Sequence, residues 1–343
     1  MVTGTAIDLF AGAGGTTTGL SLAGYDVRLA IECDRDAAET LSANFPETKV
    51  VPELIESYSP RRILREAGVR KGELDILSAC PPCQGFSTLG KGDASDPRND
   101  YVAAVGALAV ALRPRAVLLE NVPGLQRDTR LEQLEILLRG AGYGVGSWRL
   151  DASEFCVPQH RRRFILIAVA GHNDEEVLDP RTTYKCDGRS KHPHTVRDVI
   201  ESLGPPGRDD PLHQARTLPR SVLERVKAIP HDGGSRAALP KRLRLKCHDA
   251  VGKSAGSVYG RMSWDLAGPT ITTRCTTPAC GRFLHPAENR AITLREAAAF
   301  QTFPSDYRWS GRTQSVGRQI GNAFPVRFAR VLAEHVAGLV AKV

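Results

Sequence analysis

The chain has 343 residues, with Lys and Arg totalling 46 against 38 for Asp and Glu, a net charge of +8. That length suits a full α/β domain plus a smaller one, and a basic surplus carried mainly by arginine points to a polyanionic partner, nucleic acid first. No apolar run approaches the ~20 residues of a bilayer span, and Asp8 followed by glycines does not read as a secretory leader, so membrane and secreted classes are set aside. A soluble cytoplasmic protein is expected, with its eight cysteines as thiols.

Buried strands are predicted at residues 5–10, 27–32, 50–51, 74–78 and 116–120, then at 145–150 and 163–170. Helices are predicted between them: a short one closed by Gly19 to Gly24, one at 34–44 capped by Asp34, and one at 60–67 closed by Gly68. An apolar helix at 100–112 stops before Pro114, and another at 131–138 ends near Gly140. Strands alternating with helices define an α/β fold with a doubly wound, mostly parallel sheet. From Gly171 to about Tyr259 the chain turns rich in Pro, Gly, Arg and His, and only 195–203 and 219–229 read as helical. This stretch begins a second, smaller and irregular domain. Order returns with a capping box, Thr293-Leu294-Arg295-Glu296, opening a helix to Gln301, and with an amphipathic helix at 324–341. The expected division is a large domain of 1–175 plus 310–343 and a small domain of 176–309.

Asp8-Leu9-Phe10-Ala11-Gly12-Ala13-Gly14-Gly15 is a glycine-rich turn between the first strand and helix, where the backbone can approach a ligand closely. Glu32 ends the second strand, where an acid can accept both hydroxyls of a ribose. Together they point to a nucleotide-like ligand at the switch point of the sheet. Thr17 stands where a dinucleotide fingerprint wants its last glycine, and nothing in the loop caters for a pyrophosphate.

Ala79-Cys80-Pro81-Pro82-Cys83-Gln84-Gly85-Phe86-Ser87 follows the fourth strand. Its prolines stiffen the turn and put a cysteine at a rigid strand end, ahead of a Gly-rich segment reaching Asn99. A thiolate there suits attack on a soft, conjugated carbon. Cys80 and Cys83 also form a Cys-x-x-Cys pair, readable as a redox centre or half a zinc site, but the other Cys and His residues make no tidy ligand pattern, so no metal is expected. Glu120-Asn121-Val122 ends the fifth strand, the neighbour of the fourth in a doubly wound sheet, so both motifs emerge on the carboxyl edge. Gln159-His160-Arg161-Arg162-Arg163 precedes the last strand and by itself reads as a solvated face or a phosphate patch.

The Pro-Pro-Cys-Gln-Gly-Phe-Ser string resembles the catalytic motif of the cytosine-C5 DNA methyltransferases of bacterial restriction–modification type. Further matches fall in order: Phe10-x-Gly12-x-Gly14-Gly15, Asp96-Pro97-Arg98-Asn99, Glu120-Asn121-Val122, Gln159-x-Arg161-x-Arg163, the stretch 261–274, and Gln319-Ile320-Gly321-Asn322-Ala323-Phe324-Pro325. The resemblance implies a methyltransferase sheet with a target-recognition domain, S-adenosylmethionine as donor, and no metal. It implies that Phe10 stacks on adenine, Gly12 and Gly14 line the methionine moiety, and Glu32 holds the ribose. Glu53, in a Glu53-Leu54 pair where the family has Asp-Ile, would touch the adenine amino group, and Pro82 and Asn322 would complete the cofactor site. Cys83 would attack C6 of a flipped-out cytosine, Glu120 would meet N3 and the 4-amino group, Arg163 would grip the base carbonyl, and Arg161 would hold Glu120 or a phosphate. The implied partner is double-stranded DNA, bound by a nucleoid-associated monomer with no membrane partner, alongside a cognate restriction endonuclease acting on the same sequence. Residues 85–96 would be a lid, and Arg181, Arg189, Lys191, Arg208, Arg216, Arg236 and Lys253 candidate DNA contacts. A branch of the family acts on tRNA; Gly85 and the Arg-rich variable region speak for DNA. A non-catalytic nucleic-acid or nicotinamide-binding module fits poorly with Cys83, Glu120 and Arg163 occurring together.

Overall fold

The computed structural model describes residues 4–82, 97–184, 194–247 and 256–341. Its strands are β1 (Gly4–Leu9), β2 (Tyr25–Ile31), β3 (Lys49–Val51), β4 (Ile76–Ala79), β5 (Ala116–Asn121), β6 (Tyr143–Asp151) and β7 (Arg162–Ala170). The helices are α1 (Gly15–Leu22), α2 (Arg35–Asn44), α3 (Pro60–Ala67), α4 (Tyr101–Leu112), α5 (Thr129–Gly140), α6 (Val196–Leu203), α7 (Arg220–Lys227), α8 (Leu294–Phe300), α9 (Thr313–Asn322) and α10 (Val326–Val340).

All seven strands join one sheet in the order β3-β2-β1-β4-β5-β7-β6. β1 to β5 pair in parallel because a helical crossover separates each from the next. β6 and β7 are joined by residues 152–161, which hold the short 3-10 turn Ala152–Phe155 but no α-helix, so they pair antiparallel, and β7 runs against β5 as well. The inverted β7 matters for the site: its first residues, not its last, lie beside the carboxyl ends of β4 and β5.

Alternation along the strands feeds two cores. Ile7, Leu9, Leu77, Leu119 and Leu166 pack on one face with residues of α3, α4 and α5. Ala6, Ile76, Leu118, Ile165 and Ile167 pack on the other with Leu20 of α1 and Phe328, Leu332 and Val336 of α10. A further core gathers α6, α8 and α9 around Met262, Ile271, Phe283 and Phe303. Among the described residues, the stretch from Gly171 to Ile292 carries short helices, turns and isolated bridges but no strand, as its composition suggests. The predicted capping boxes and caps form: Thr293 accepts from Glu296 N, Asp34 from Ala37 N, and Gly68 adopts a left-handed conformation.

Two features of the structure lie outside the expectations. α1 starts at Gly15, because Thr17 donates to Asp8 and Thr18 to the Gly14 carbonyl, turning a β-branched run into a helix start. α9 is unanticipated; Gly317 and Gly321 mask its pattern, and Pro325 separates it from α10. No helix among the described residues is long and apolar enough to cross a membrane. Cys156 is disulfide-bonded, so the expectation of thiols throughout does not hold there, whereas Cys33, Cys80, Cys247, Cys275 and Cys280 are free.

The glycines of α9 are contact residues. A Cβ on Gly321 would lie 2.2 Å from Thr273 N and 2.3 Å from the Thr272 carbonyl carbon, both backbone atoms that cannot rotate away. Gly321→Ala is therefore expected to lose about 3 kcal/mol or more of stability. Thermal unfolding reads this directly, and an unchanged midpoint would contradict the packing.

Candidate active site

One cavity of about 320 Å³ opens on the carboxyl edge of the sheet. That is at the small end of the ~300–1,000 Å³ usual for ligand sites. Each strand end contributes to it: Phe10, Gly12 and Thr16 after β1, Glu32 after β2, Glu53 and Leu54 after β3, Cys80, Pro81 and Pro82 after β4, and Glu120 from β5. Arg163 enters from the start of inverted β7, and Asn322 from the end of α9. Of the residues expected at the cofactor, Phe10, Gly12, Glu32, Glu53, Pro82 and Asn322 share this wall.

The loop after β1 is held by β2. Ala11 N donates to the Ile31 carbonyl at 3.1 Å, Gly12 N to Glu32 Oε2 at 2.8 Å and Asp34 N to Glu32 Oε1 at 2.7 Å. Burial raises the Glu32 carboxyl above its ordinary pKa, and these two amide donors oppose the shift. Phe10 sits at φ 58°, a left-handed conformation rare for a side chain of its size, which sets its ring 5.2 Å from that of Tyr101. Gly12, at φ 55°, has open space where a Cβ would be. Gly14, at φ 92°, is packed one step behind Gly12, where a Cβ would meet Leu41 and the Tyr307 hydroxyl.

Under this loop Asp8 is fully buried, opposite Ser78 on β4. Thr17 Oγ1 donates to Oδ2 at 2.7 Å, while Oδ1 has no hydrogen-bond partner. Burial pushes its pKa up to about 7, and the Glu32 charge adds to the rise. Ser78 lies near enough to temper it, although its hydroxyl makes no hydrogen bond. The native state thus keeps a proton that the unfolded chain releases near pH 3.8, and stability falls as pH rises from about 4 to about 7. Asp8→Asn removes this dependence. It is expected to be more stable than the parent by on the order of 2–4 kcal/mol at pH 8 and to converge with it near pH 4. Denaturant titrations across this range check it; parallel pH profiles would contradict it.

Glu120 and Arg163 form the polar centre. Arg163 Nε lies 2.6 Å from Glu120 Oε1, with side chains only 15% and 13% exposed. Asn121, next to Glu120, donates from Nδ2 to the Pro81 carbonyl at 3.3 Å, and Cys80 N donates to the Leu9 carbonyl. The Pro-Pro turn is thereby tied to the strand that carries the carboxylate. Cys80 faces Thr16, Sγ to Oγ1 3.4 Å, and burial first, then the Glu120 and Asp8 charges, raise its pKa well above the ordinary thiol value. Cys80 is thus held as a neutral thiol. Cys83, the predicted nucleophile, lies outside the described residues, as do the 85–96 segment, Arg189, Lys191 and Lys253.

Arg161 ties several elements together. It precedes β7, is buried, and donates to the carbonyls of Ile271, Gly321 and Asn322. The last two are end carbonyls of α9, which lack helical partners and attract a guanidinium. The arginine beside Glu120 is Arg163. Gln159 is likewise a clamp: its amide donates to the Phe300 carbonyl and Gln301 Oε1, and its oxygen accepts from Ile271 N. Among the candidate DNA contacts, Arg181 is held by Asp179, whereas Arg208 and Arg216 are exposed. Sequence reasoning missed Ile55, Tyr101 and Arg318 on the cavity wall. Their signal is spatial, since they come from a turn and from helix faces.

A mostly parallel sheet with one inverted strand and a nucleoside-type cradle beside a carboxylate–arginine pair defines an α/β enzyme that uses a nucleoside-bearing cofactor. The family description C-5 cytosine-specific DNA methylase matches residues 4–338. The Type II methylase M.HgiDII of Herpetosiphon aurantiacus is 35% identical, over 97% of this chain and 95% of its own. The Type II methyltransferase M1.HphI of Haemophilus parahaemolyticus is 32% identical, over 97% and 86%. The crystal structure of the S. pombe Dnmt2 methyltransferase shares the fold, with a TM-score of 0.65 at 17% identity over 98% of each chain. The chain belongs to the C-5 cytosine-specific DNA methylases. Their methyl donor, S-adenosylmethionine, fits the residues present: an aromatic pair for a purine, an anchored carboxylate for ribose hydroxyls, and an open glycine beside them.

Proposed function

We propose that this enzyme methylates C5 of a flipped-out cytosine in a short duplex DNA sequence through a covalent bond between Cys83 and C6. The observation that carries the reading is the Glu120–Arg163 pair, set in the cofactor cavity and tied through Asn121 to the Pro81–Pro82 turn that leads to Cys83. C5 of cytosine is a poor nucleophile until a thiolate adds to C6. The Sγ–C6 bond forms, the C5–C6 electron pair moves toward C5, and Glu120 shares a proton with N3. When bound, S-adenosylmethionine supplies an electrophilic methyl group on a sulfonium. Loss of the C5 proton to a base and breakage of the C6–S bond then restore the aromatic ring and the thiolate.

Phe10, Gly12, Glu32, Glu53, Pro82 and Asn322 hold the cofactor, and Arg163 keeps Glu120 in place. Arg161 acts instead as a structural tie between the halves of the molecule. The large domain comprises 1–175 and 310–343, and 176–309 reads the DNA. Removing the base from the stack costs a few kcal/mol, which contacts from the smaller domain offset. The likeness to Type II methylases supports a protective role beside a restriction endonuclease of the same specificity. The test is incubation with tritiated methyl donor and either mixed-sequence duplex DNA or tRNA. Label is expected as 5-methylcytosine in DNA; label confined to tRNA, or none in either, would overturn the reading.

A further inference from the structure

We propose that Arg62 is a positioning residue for the cofactor's purine, holding Glu53 so that its carboxylate selects a 6-amino over a 6-oxo ring; this rests on the cofactor reading above. Glu53 follows β3, one strand outward from the Glu32 that ends β2, and both line the cavity with Phe10, Leu54 and Tyr101. The rings of Phe10 and Tyr101, inclined at 53° to each other, give this end an apolar aromatic wall, so a ligand ring lying against Phe10 presents an edge to its rim.

A glutamate at such a rim is a loose group, with several rotatable bonds and a side chain 41% exposed. Arg62 removes that freedom. Its Nη1 donates to Glu53 Oε2 at 3.2 Å and its Nη2 to Oε1 at 3.1 Å, the bidentate fork that carboxylates favour. The guanidinium is itself fixed: Nε donates to Glu66 Oε1 at 2.8 Å, Nη2 also reaches the Tyr58 hydroxyl at 3.0 Å, and its carbon lies 3.8 Å from the Tyr58 ring centroid. Ser59 caps α3 and starts the helix that carries Arg62. Each Glu53 oxygen keeps a lone pair after the fork forms. The oxygens of an ionised carboxylate only accept hydrogen bonds. It can take a hydrogen bond from a 6-amino group, whereas a 6-oxo group sets two acceptors face to face.

Calorimetric binding of S-adenosylhomocysteine and its S-inosyl counterpart to the full chain tests this without turnover, with melts run on every variant. The parent is expected to prefer the adenosyl ligand by about tenfold or more. Arg62→Met should weaken that ligand about tenfold and bring the ratio near one, and Arg62→Lys should recover part of it. Glu53→Gln, whose amide can donate to an oxo group, should shift the ratio the same way. An unchanged ratio in Arg62→Met, with or without lower overall affinity, overturns the role of Arg62 alone. A parent that binds neither ligand overturns the cofactor reading and this inference with it.

Discussion

Replacing Cys83 with serine is expected to lower kcat for methyl transfer by about 10⁴-fold or more, while S-adenosylhomocysteine binding stays within a few-fold of the parent. A serine hydroxyl is a far weaker nucleophile toward C6 than a thiolate. Apart from Pro82, the cofactor contacts come from other elements, so the cradle is left intact. Cys80→Ser is the internal control. Cys80 is half-buried against Thr16 with its pKa raised well above the ordinary thiol value, so its loss should change kcat only a few-fold. Activity that persists in Cys83→Ser and disappears in Cys80→Ser would reverse the roles of the two thiols.

The second large effect is at Glu120. Glu120→Gln keeps the size of the side chain and an oxygen for the 4-amino group but has no proton to share with N3. A fall in kcat of about 10²–10⁴ is expected, with DNA affinity nearly unchanged. Arg163→Met acts on the same pair from the other side. It leaves a carboxylate only 13% exposed without its 2.6 Å partner and should cost a comparable factor. Because the two groups act as one unit, the double variant should be little worse than either single one. Single-turnover rates on DNA carrying the enzyme's own site provide the comparison. Multiplicative losses would mean that Glu120 and Arg163 work independently.

The sheet was legible because its strands are short apolar runs punctuated by glycine, proline and caps. Each run from residue 5 to residue 170 became a strand, and the pairing of β6 and β7 followed from the lack of a helix between them. The cavity was legible for a related reason: the ends of parallel strands share one edge, so Phe10, Glu32 and Glu120 had to meet. Contacts that depend on three-dimensional neighbours were not legible. The spacing of Arg161 and Arg163 says nothing of which one faces Glu120; the open carbonyls at the end of α9 decide it by capturing Arg161. α9 itself was hidden because the glycines that let it lie against Thr272 and Thr273 also erase its apolar periodicity. Arg62 belongs to the same group: a surface arginine in the sequence, it becomes part of the site only when α3 brings it to Glu53.

The most direct test is to place 5-fluorocytosine at the methylated position of a duplex and incubate it with enzyme and S-adenosylmethionine. Fluorine cannot leave C5 as a cation in the way a proton does, so the bond from sulfur to C6 has no route to break once the methyl group has arrived. A denaturant-resistant complex of one protein with one duplex is expected, mapping by peptide mass to Cys83 and absent in Cys83→Ser. Full methylation of normal DNA with no trapped complex on the fluorinated duplex, or a complex mapping to another residue, would contradict the account.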